Sequence, residues 1–362
     1  MGKIKVAVGM SGGVDSTVAA CLLKQQGYDV LGITMSVWDG GPRDVKNFRG
    51  ACYGPDEIEE LQNVKKLCRQ IGIPHLTVDL KKEYRSRVLD YFCGEYLEGK
   101  TPNPCVMCNR KLKFGLLVDK AREHIAFDFF ATGHYARVFK NEQGRFLLRR
   151  AVDLKKDQSY FLWGLSQTQL STLMLPLGEL TKPQVRDIAR AHGLGEVAEQ
   201  AESQDFVDCS EYKALFEGRP VVPGDIVDMQ GNKLGTHEGI VYYTVGQRKG
   251  IGVGGLKDPL YVVKIDATLN RVVVGPKEEL MGTALLAGDL NWIADIGGAK
   301  SVKALARIRQ QNKENACTAE LLDDGTARVV FENPQLSITA GQSIVFYDGD
   351  VVLGGGIIKK RL

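Results

Sequence analysis

The first 135 residues alternate short apolar runs with amphipathic ones, and that alternation leaves few folds open. Ile4–Gly9 reads as a strand, Ser16–Gln26 as a helix closed by Gly27, and Asp29–Met35 as a second strand. Asp56–Ile71 places Ile58, Leu61, Val64 and Leu67 three apart, the spacing of one helical face, and Gly72 and Pro74 stop it. Leu76–Leu80 and Phe127–Thr132 read as strands, Tyr84–Tyr96 and Lys111–His124 as helices. Strands joined through helices run parallel. The expected fold class is therefore α/β, with an N-terminal doubly wound parallel sheet covered by helices on both faces. Ligands of such sheets sit beyond the carboxyl ends of the strands, and the motifs described below fall at those ends.

From about Pro176 the pattern changes. Thr181–His192 reads as an amphipathic helix with Pro183 near its start. Ten glycines between Gly218 and Gly255, mixed with β-prone runs such as Gly239–Val245, predict small turn-rich β structure. Residues 281–362 show short strands at Ser301–Arg309, Ala316–Leu322, Ala327–Phe331, Ser343–Tyr347 and Gly354–Lys359, as expected of a small β-barrel. Expected domains are 1–200, 201–280 and 281–362. With 44% apolar and 25% charged residues the chain is globular in composition. No run of about 18 apolar residues offers a membrane span. The apolar part of the N-terminus is too short for a signal peptide. A cytoplasmic protein is expected.

The most informative segment is Gly9-Met10-Ser11-Gly12-Gly13-Val14-Asp15-Ser16, lying between the first strand and the first helix. Its glycines let the backbone approach a phosphate closely. The helix N-terminus presents N–H groups and a positive dipole end to an anion, and the two serines add hydroxyl donors. No lysine follows the glycines, so a Walker-type loop is not present, and neither is a Rossmann G-x-G-x-x-G. The loop itself carries no amine side chain. Two further strand ends point the same way: Thr34-Met35, where an adenine could rest, and Ala131-Thr132-Gly133-His134-Tyr135, where Gly133 allows close ligand approach.

This loop resembles the SGG-x-DS signature of the ATP pyrophosphatase (PP-loop) family, whose members cleave ATP between the α- and β-phosphates and adenylylate an oxygen. Other segments narrow the resemblance. They are Thr101-Pro102-Asn103-Pro104-Cys105-Val106-Met107-Cys108-Asn109, Lys155-Lys156-Asp157-Gln158-Ser159-Tyr160, Glu202-Ser203-Gln204-Asp205, and Tyr243 through Gly250. Together they resemble the bacterial tRNA-specific 2-thiouridylases, the MnmA family, over nearly the whole chain. The resemblance implies ATP with Mg as cofactor and tRNA as partner. It also implies a sulfur-carrier protein or cysteine desulfurase as sulfur source, and a chemistry in which sulfur replaces the C2 oxygen of a wobble uridine. By motif, Gly9–Ser16 and Met35 would hold ATP with Gly133 near it, Asp15 and Cys108 would be catalytic, and Asn103–Cys105 would meet the target base. His134, Lys156, Asp157 and Gln158 would contact tRNA, as would Arg309, Gln310 and Gln342 in the barrel.

Two departures from the family pattern bear on mechanism. Many members carry Asp where this chain has Cys105, so the chain matches a C-x-x-C subgroup. The usual position of the second catalytic cysteine is Val207 here, and Cys209 lies two residues on. Cys105, Cys108 and Cys209 could hold a four-iron four-sulfur cluster through their thiolates. In the competing mechanism Cys108 acts as a thiolate or Cys209 carries a persulfide. A thiolate needs a lowered pKa, and Arg110 and Lys111 lie close in sequence. Zinc at the C-x-x-C would need further ligands that no nearby pair supplies. Cys21, Cys68 and Cys317 sit in apolar patterns and read as core. The net charge of +3 is uninformative, whereas residues 101–160 hold twelve Lys/Arg against six Asp/Glu, a surplus compatible with a phosphate-bearing partner. Another PP-loop ligase and a non-catalytic RNA-binding module are the alternatives; the first would not require the C-x-x-C, and the intact Asp15 and Ser16 argue against the second.

Overall fold

A computed structural model describes residues 2–41, 53–200, 212–254 and 258–362. The chain divides into two compact units, one made of Met1–Val88, Cys105–Glu211 and Asp350–Leu353, the other of Leu89–Pro104, Tyr212–Gly349 and Gly354–Leu362. Among the described residues no helix is long and apolar enough to cross a membrane.

The first unit is built on β1 (Lys5–Gly9), β2 (Asp29–Ser36), β3 (His75–Asp79) and β4 (Phe129–Thr132). It adds the hairpin β5 (Ala136–Lys140) and β6 (Phe146–Arg150), and the short β7 (Leu173–Met174). The parallel sheet has the order β3-β2-β1-β4-β7. Because the chain leaves β1 toward β2 on one side and returns to β4 on the other, the topological switch point lies between β1 and β4. Gly9 pairs with Ile33 on one flank and Thr132 on the other. Alternate residues of a strand face opposite ways, and β4 shows it. Ala131 joins the core formed with Val8 of β1, Val18 and Leu23 of helix α1 (Val14–Gln25) and Val185 of the helix Lys182–Ala191. Phe130 turns to the other face and meets Phe114 edge-on at 5.9 Å. Helices therefore cover both faces of the sheet, as the alternation predicts. Cys21 and Cys68 lie buried in this core, and burial raises both thiols, Cys68 to about 11.

Read from the sequence, the two prolines of Thr101–Pro104 suggest a polar loop around the C-x-x-C, and this needs correction: Pro104–Met107 is helical and continues without a break into a wider-wound π-helical segment, Cys108–Leu116, and then Leu117–Arg122. Pro104 suits a helix start because its fixed φ is helical and its missing N–H has no partner to lose there. Val106, Leu112, Phe114 and Leu117 form the buried face. The hairpin β5–β6, paired from Ala136↔Arg150 to Lys140↔Phe146, was not foreseen.

In the second unit, β8 (Gly224–Val227), β9 (Lys233–His237), β10 (Tyr261–Asp266) and β11 (Arg271–Gly275) form a four-stranded sheet. Gly239–Val245, expected to be strand-like, contains a single 3-10 turn at Ile240–Tyr242. The barrel strands are β12 (Met281–Trp292), β13 (Ser301–Arg307), β14 (Asn315–Leu321), β15 (Ala327–Leu336), β16 (Ser343–Asp348) and β17 (Val351–Arg361). Pairing of β12 with β17, from Leu285↔Arg361 to Trp292↔Gly354, closes the barrel. β12 escaped the sequence reading because its Ala- and Gly-rich run has low β-propensity. Cys317 lies inside the barrel, its thiol pushed up to about 12 by burial and by Glu332.

Candidate active site

The loop between β1 and α1 is held open for a ligand by its own hydrogen bonds. Met10 N–H donates to Ile33 O at 2.8 Å, and the Thr34 hydroxyl donates to Met10 O at 2.8 Å, so the loop leaves the sheet at a fixed angle. Gly12 adopts φ +83°, a left-handed conformation that glycine takes without strain. Ser16 Oγ accepts from Ser11 N–H at 3.2 Å, curling the loop over the first turn of α1. Gly13 stands at the helix N-cap with no side chain capping the first amides. Those N–H groups face a cleft of about 400 Å³ and form the anion-binding end of the helix.

Gly133, at the end of β4, is where the switch point closes on this loop. A Cβ there would lie 2.6 Å from the Asp15 carbonyl carbon and 2.7 Å from Ser16 N. The Gly133→Ala substitution is therefore expected to displace the start of α1. Overpacking of about 1–3 kcal/mol, borne by the ligand-binding conformation of the loop, corresponds to roughly five- to 150-fold weakening of ATP binding. Calorimetric titration would check this, and an affinity unchanged from the parent would detach the β4 end from the nucleotide.

Asp15 is the hub of the cleft. Lys182 Nζ donates to Asp15 Oδ1 and Oδ2, both at 2.8 Å, and the Tyr135 hydroxyl donates to Oδ1 at 2.9 Å. Lys182 is 7% exposed and Tyr135 2%. The amine missing from the loop is thus supplied from 167 residues away. Neither Lys182 nor Tyr135 was read as functional from the sequence, nor were Glu60, Asn63 and Gln200, which line the same cleft. One local signal existed: Lys182 opens its helix, where a cation opposes the helix dipole. Burial, then Asp56 and Glu57, raise the Glu60 carboxyl above its ordinary value.

Lys156 and Gln158 also line this cleft. Gln158 clasps Tyr135 twice: its Oε1 accepts from Tyr135 N–H at 2.9 Å, and its N–H donates to Tyr135 O at 2.8 Å. Asp157 points inward, 1% exposed, its carboxylate accepting from Ala151 N–H and the Ser159 hydroxyl. It shapes the loop from beneath. His134 Nδ1 lies 2.7 Å from the Thr132 hydroxyl, and its ring tilts against Phe114 at 5.5 Å. Burial, then Lys113, hold its imidazole well below the ordinary histidine value.

Phe114 lies on the Cys108–Leu116 segment, which also bears Asn109. Asn109 Nδ2 donates to Phe161 O at 3.2 Å, three residues beyond Gln158. Two short chains of contacts thus connect the cysteine helix to the glycine loop within one unit: Phe114–His134–Gly133–Asp15, and Asn109–Phe161 through Gln158 and Tyr135 to Asp15. Cys108 is buried and Cys105 half-buried. Three residues apart on a helix, they share a face. Cys209 lies outside the described residues. Met35, near the end of β2, is half-buried beside Val78 of β3, and Val14 is buried in the first turn of α1.

The other expected tRNA contacts belong to the second unit. Thr101 N–H donates to Ala340 O at 2.8 Å, and Gln342 Nε2 donates to Thr101 O at 2.9 Å, which anchors the stretch leading to Asn103 and Pro104. Arg309 folds its guanidinium back onto Ser337 O at 2.9 Å and the Thr339 hydroxyl at 2.8 Å. Gln310, next to it, is half-buried. The structure therefore gathers Arg309 and Gln342 around the loop 337–342.

Comparison with known proteins gives the family. Residues 4–209 match the family described as tRNA methyl transferase HUP domain. Residues 213–276 match the tRNA methyl transferase PRC-barrel domain, and 282–358 the aminomethyltransferase beta-barrel domain. The chain is 46% identical over 360 residues to the tRNA-specific 2-thiouridylase MnmA of Endomicrobium trichonymphae, covering 98% of this chain and 99% of the relative. It is 43% identical to that of Clostridioides difficile, covering 99% of each chain. It is 45% identical to that of Geobacter metallireducens, covering 99% of this chain and 97% of the relative. Matched from end to end at these identities, the chain belongs to the MnmA family of tRNA-specific 2-thiouridylases.

Proposed function

We propose that this chain is an ATP-dependent tRNA-uridine 2-sulfurtransferase. The C2 oxygen of the wobble uridine attacks the α-phosphorus of ATP, and the bond to the bridging oxygen of pyrophosphate breaks. Sulfur then bonds to C2, and AMP leaves with the former uridine oxygen. The first-turn amides of α1 and the Ser11 and Ser16 hydroxyls hold the departing pyrophosphate. Lys182 adds the cation that the loop lacks, and ATP arrives with Mg. Donors held in place before charge develops cost no reorganisation during reaction. The base must leave its stack to reach the α-phosphate, and Asn103–Cys105, His134, Lys156–Gln158, Arg309, Gln310 and Gln342 serve the tRNA. The observation that carries this reading is the joining of the Asp15–Lys182 loop to the Cys108 helix by two chains of contacts within one unit.

Sulfur comes from a carrier protein or a cysteine desulfurase, and we propose a four-iron four-sulfur cluster on Cys105, Cys108 and Cys209 as its entry point. Such clusters are bound by cysteine thiolates. Cys105 and Cys108 share a helix face and fit two of those positions. Among the described residues no group of three His, Cys, Asp or Glu side chains forms a metal site. When bound, the cluster would supply an iron open to an added sulfide.

The test combines two measurements on anaerobically purified protein. With ATP, Mg and unmodified tRNA, supplied with sulfide in one arm and with a cysteine desulfurase and cysteine in the other, AMP release coupled to 2-thiouridine is expected in at least one arm; neither product, or AMP without thionucleoside, in both arms overturns the assigned activity. Iron and acid-labile sulfide analysis is expected to find both in the same preparation. Their absence reassigns the sulfur to a persulfide on Cys108 or Cys209.

A further inference from the structure

Tyr135 is tied to both halves of the reaction. Its hydroxyl donates to Asp15 Oδ1 at 2.9 Å in the nucleotide loop. Its backbone N–H and C=O are both bonded to Gln158, at 2.9 and 2.8 Å, in the segment that the proposed function gives to tRNA. At 2% exposure, the ring is buried. A displacement of Gln158 would pull on the Tyr135 backbone through both bonds and so shift the hydroxyl against Asp15.

Asp15 currently shares its carboxylate between this hydroxyl and Lys182, whose Nζ lies 2.8 Å from both oxygens. Phosphates in the cleft compete for the Lys182 ammonium. A carboxylate that loses its cation binds a remaining hydroxyl donor more strongly, because hydrogen bonds to an ionised acceptor are the strong ones. Nucleotide binding should therefore tighten the Tyr135–Asp15 bond and hold Gln158 in one place. A segment already ordered by one ligand is bound more tightly by the other, and coupling of this kind is reciprocal.

We infer that Tyr135 is the positioning residue through which nucleotide and tRNA binding reinforce each other. This rests on the function proposed above. It predicts that α,β-methylene-ATP with Mg tightens tRNA binding about tenfold, within the usual range of coupling between sites. Fluorescence anisotropy with labelled tRNA, run with and without the analogue, reads this ratio. In Tyr135→Phe the ratio is expected to fall below about twofold; a change in tRNA affinity common to both conditions cancels in this ratio. A purely structural role would weaken each ligand and leave the ratio alone.

Gln158→Met supplies the second variant should Tyr135→Phe not fold. Its readout is again the ratio, expected to drop by at least about threefold. A tenfold ratio surviving in a folded variant overturns the inference. A parent protein that binds tRNA and analogue with no mutual effect also overturns it and leaves the proposed function standing. A parent that binds neither ligand overturns the proposed function itself.

Discussion

Replacing Cys108 by serine is expected to lower 2-thiouridine formation by at least about a thousandfold, the scale on which loss of a reacting group acts. Cys108 is buried on the helix whose Phe114 touches His134 and whose Asn109 is bonded to Phe161 O. Serine is close in volume, so these contacts and the packing of the helix should survive. Its hydroxyl is a poor sulfur acceptor and a poor metal ligand, so sulfur transfer fails whether the sulfur arrives through a cluster or a persulfide. ATP and tRNA binding should stay within a few-fold of the parent, because Cys108 is outside the cleft bounded by Ser11–Asp15 and Lys182. The measurement is nucleoside analysis of tRNA after a single turnover, paired with nucleotide titration. Thionucleoside at the parental level would remove Cys108 from the chemistry. Loss of both binding and chemistry would point to a misfolded helix.

The second large effect concerns the first half-reaction. Lys182→Met is expected to lower AMP formation by roughly a hundred- to a thousandfold, the cost of deleting one preorganised donor at a site where charge develops. Methionine retains the apolar stem in its buried position, so the loss is confined to the ammonium. Asp15 then loses its cation but keeps the Tyr135 hydroxyl at 2.9 Å. Its side chain is 34% exposed and lies in the first turn of α1, where the helix dipole favours a negative charge. Folding should survive with a small drop in melting temperature. The check is AMP release in rapid quench at saturating tRNA, alongside thermal unfolding. Undiminished AMP release would exclude Lys182 from the phosphate site and leave the ion pair with Asp15 a structural one.

The lysine shows where sequence reading reached its limit. The strand, glycine turn and helix from Lys5 to Gln25 were legible because each piece is local: a run of apolar residues, two glycines, then a helical face. The same holds for β2, α2 (Glu57–Ile71), β3 and β4, whose observed bounds fall within a few residues of those expected. Local cues misled at Thr101–Pro104, where two prolines resemble a loop although the second begins the helix carrying both cysteines. They were too weak at Met281–Trp292, a strand that exists because barrel closure pairs it on both sides.

The parallel α/β sheet, the glycine loop at its carboxyl edge and the family to which the motifs belong were all legible in the sequence. Each is written in spacings of a few residues, which the helical and strand periods convert directly into geometry. Long-range packing brings Lys182 and Tyr135 together at Asp15, requires a glycine at position 133 for α1 to start where it does, and turns Asp157 inward. Such pairings join residues up to 167 positions apart. They follow from the order β2-β1-β4 bringing two strand ends side by side, and no local period of the chain encodes which side chains will then face one another.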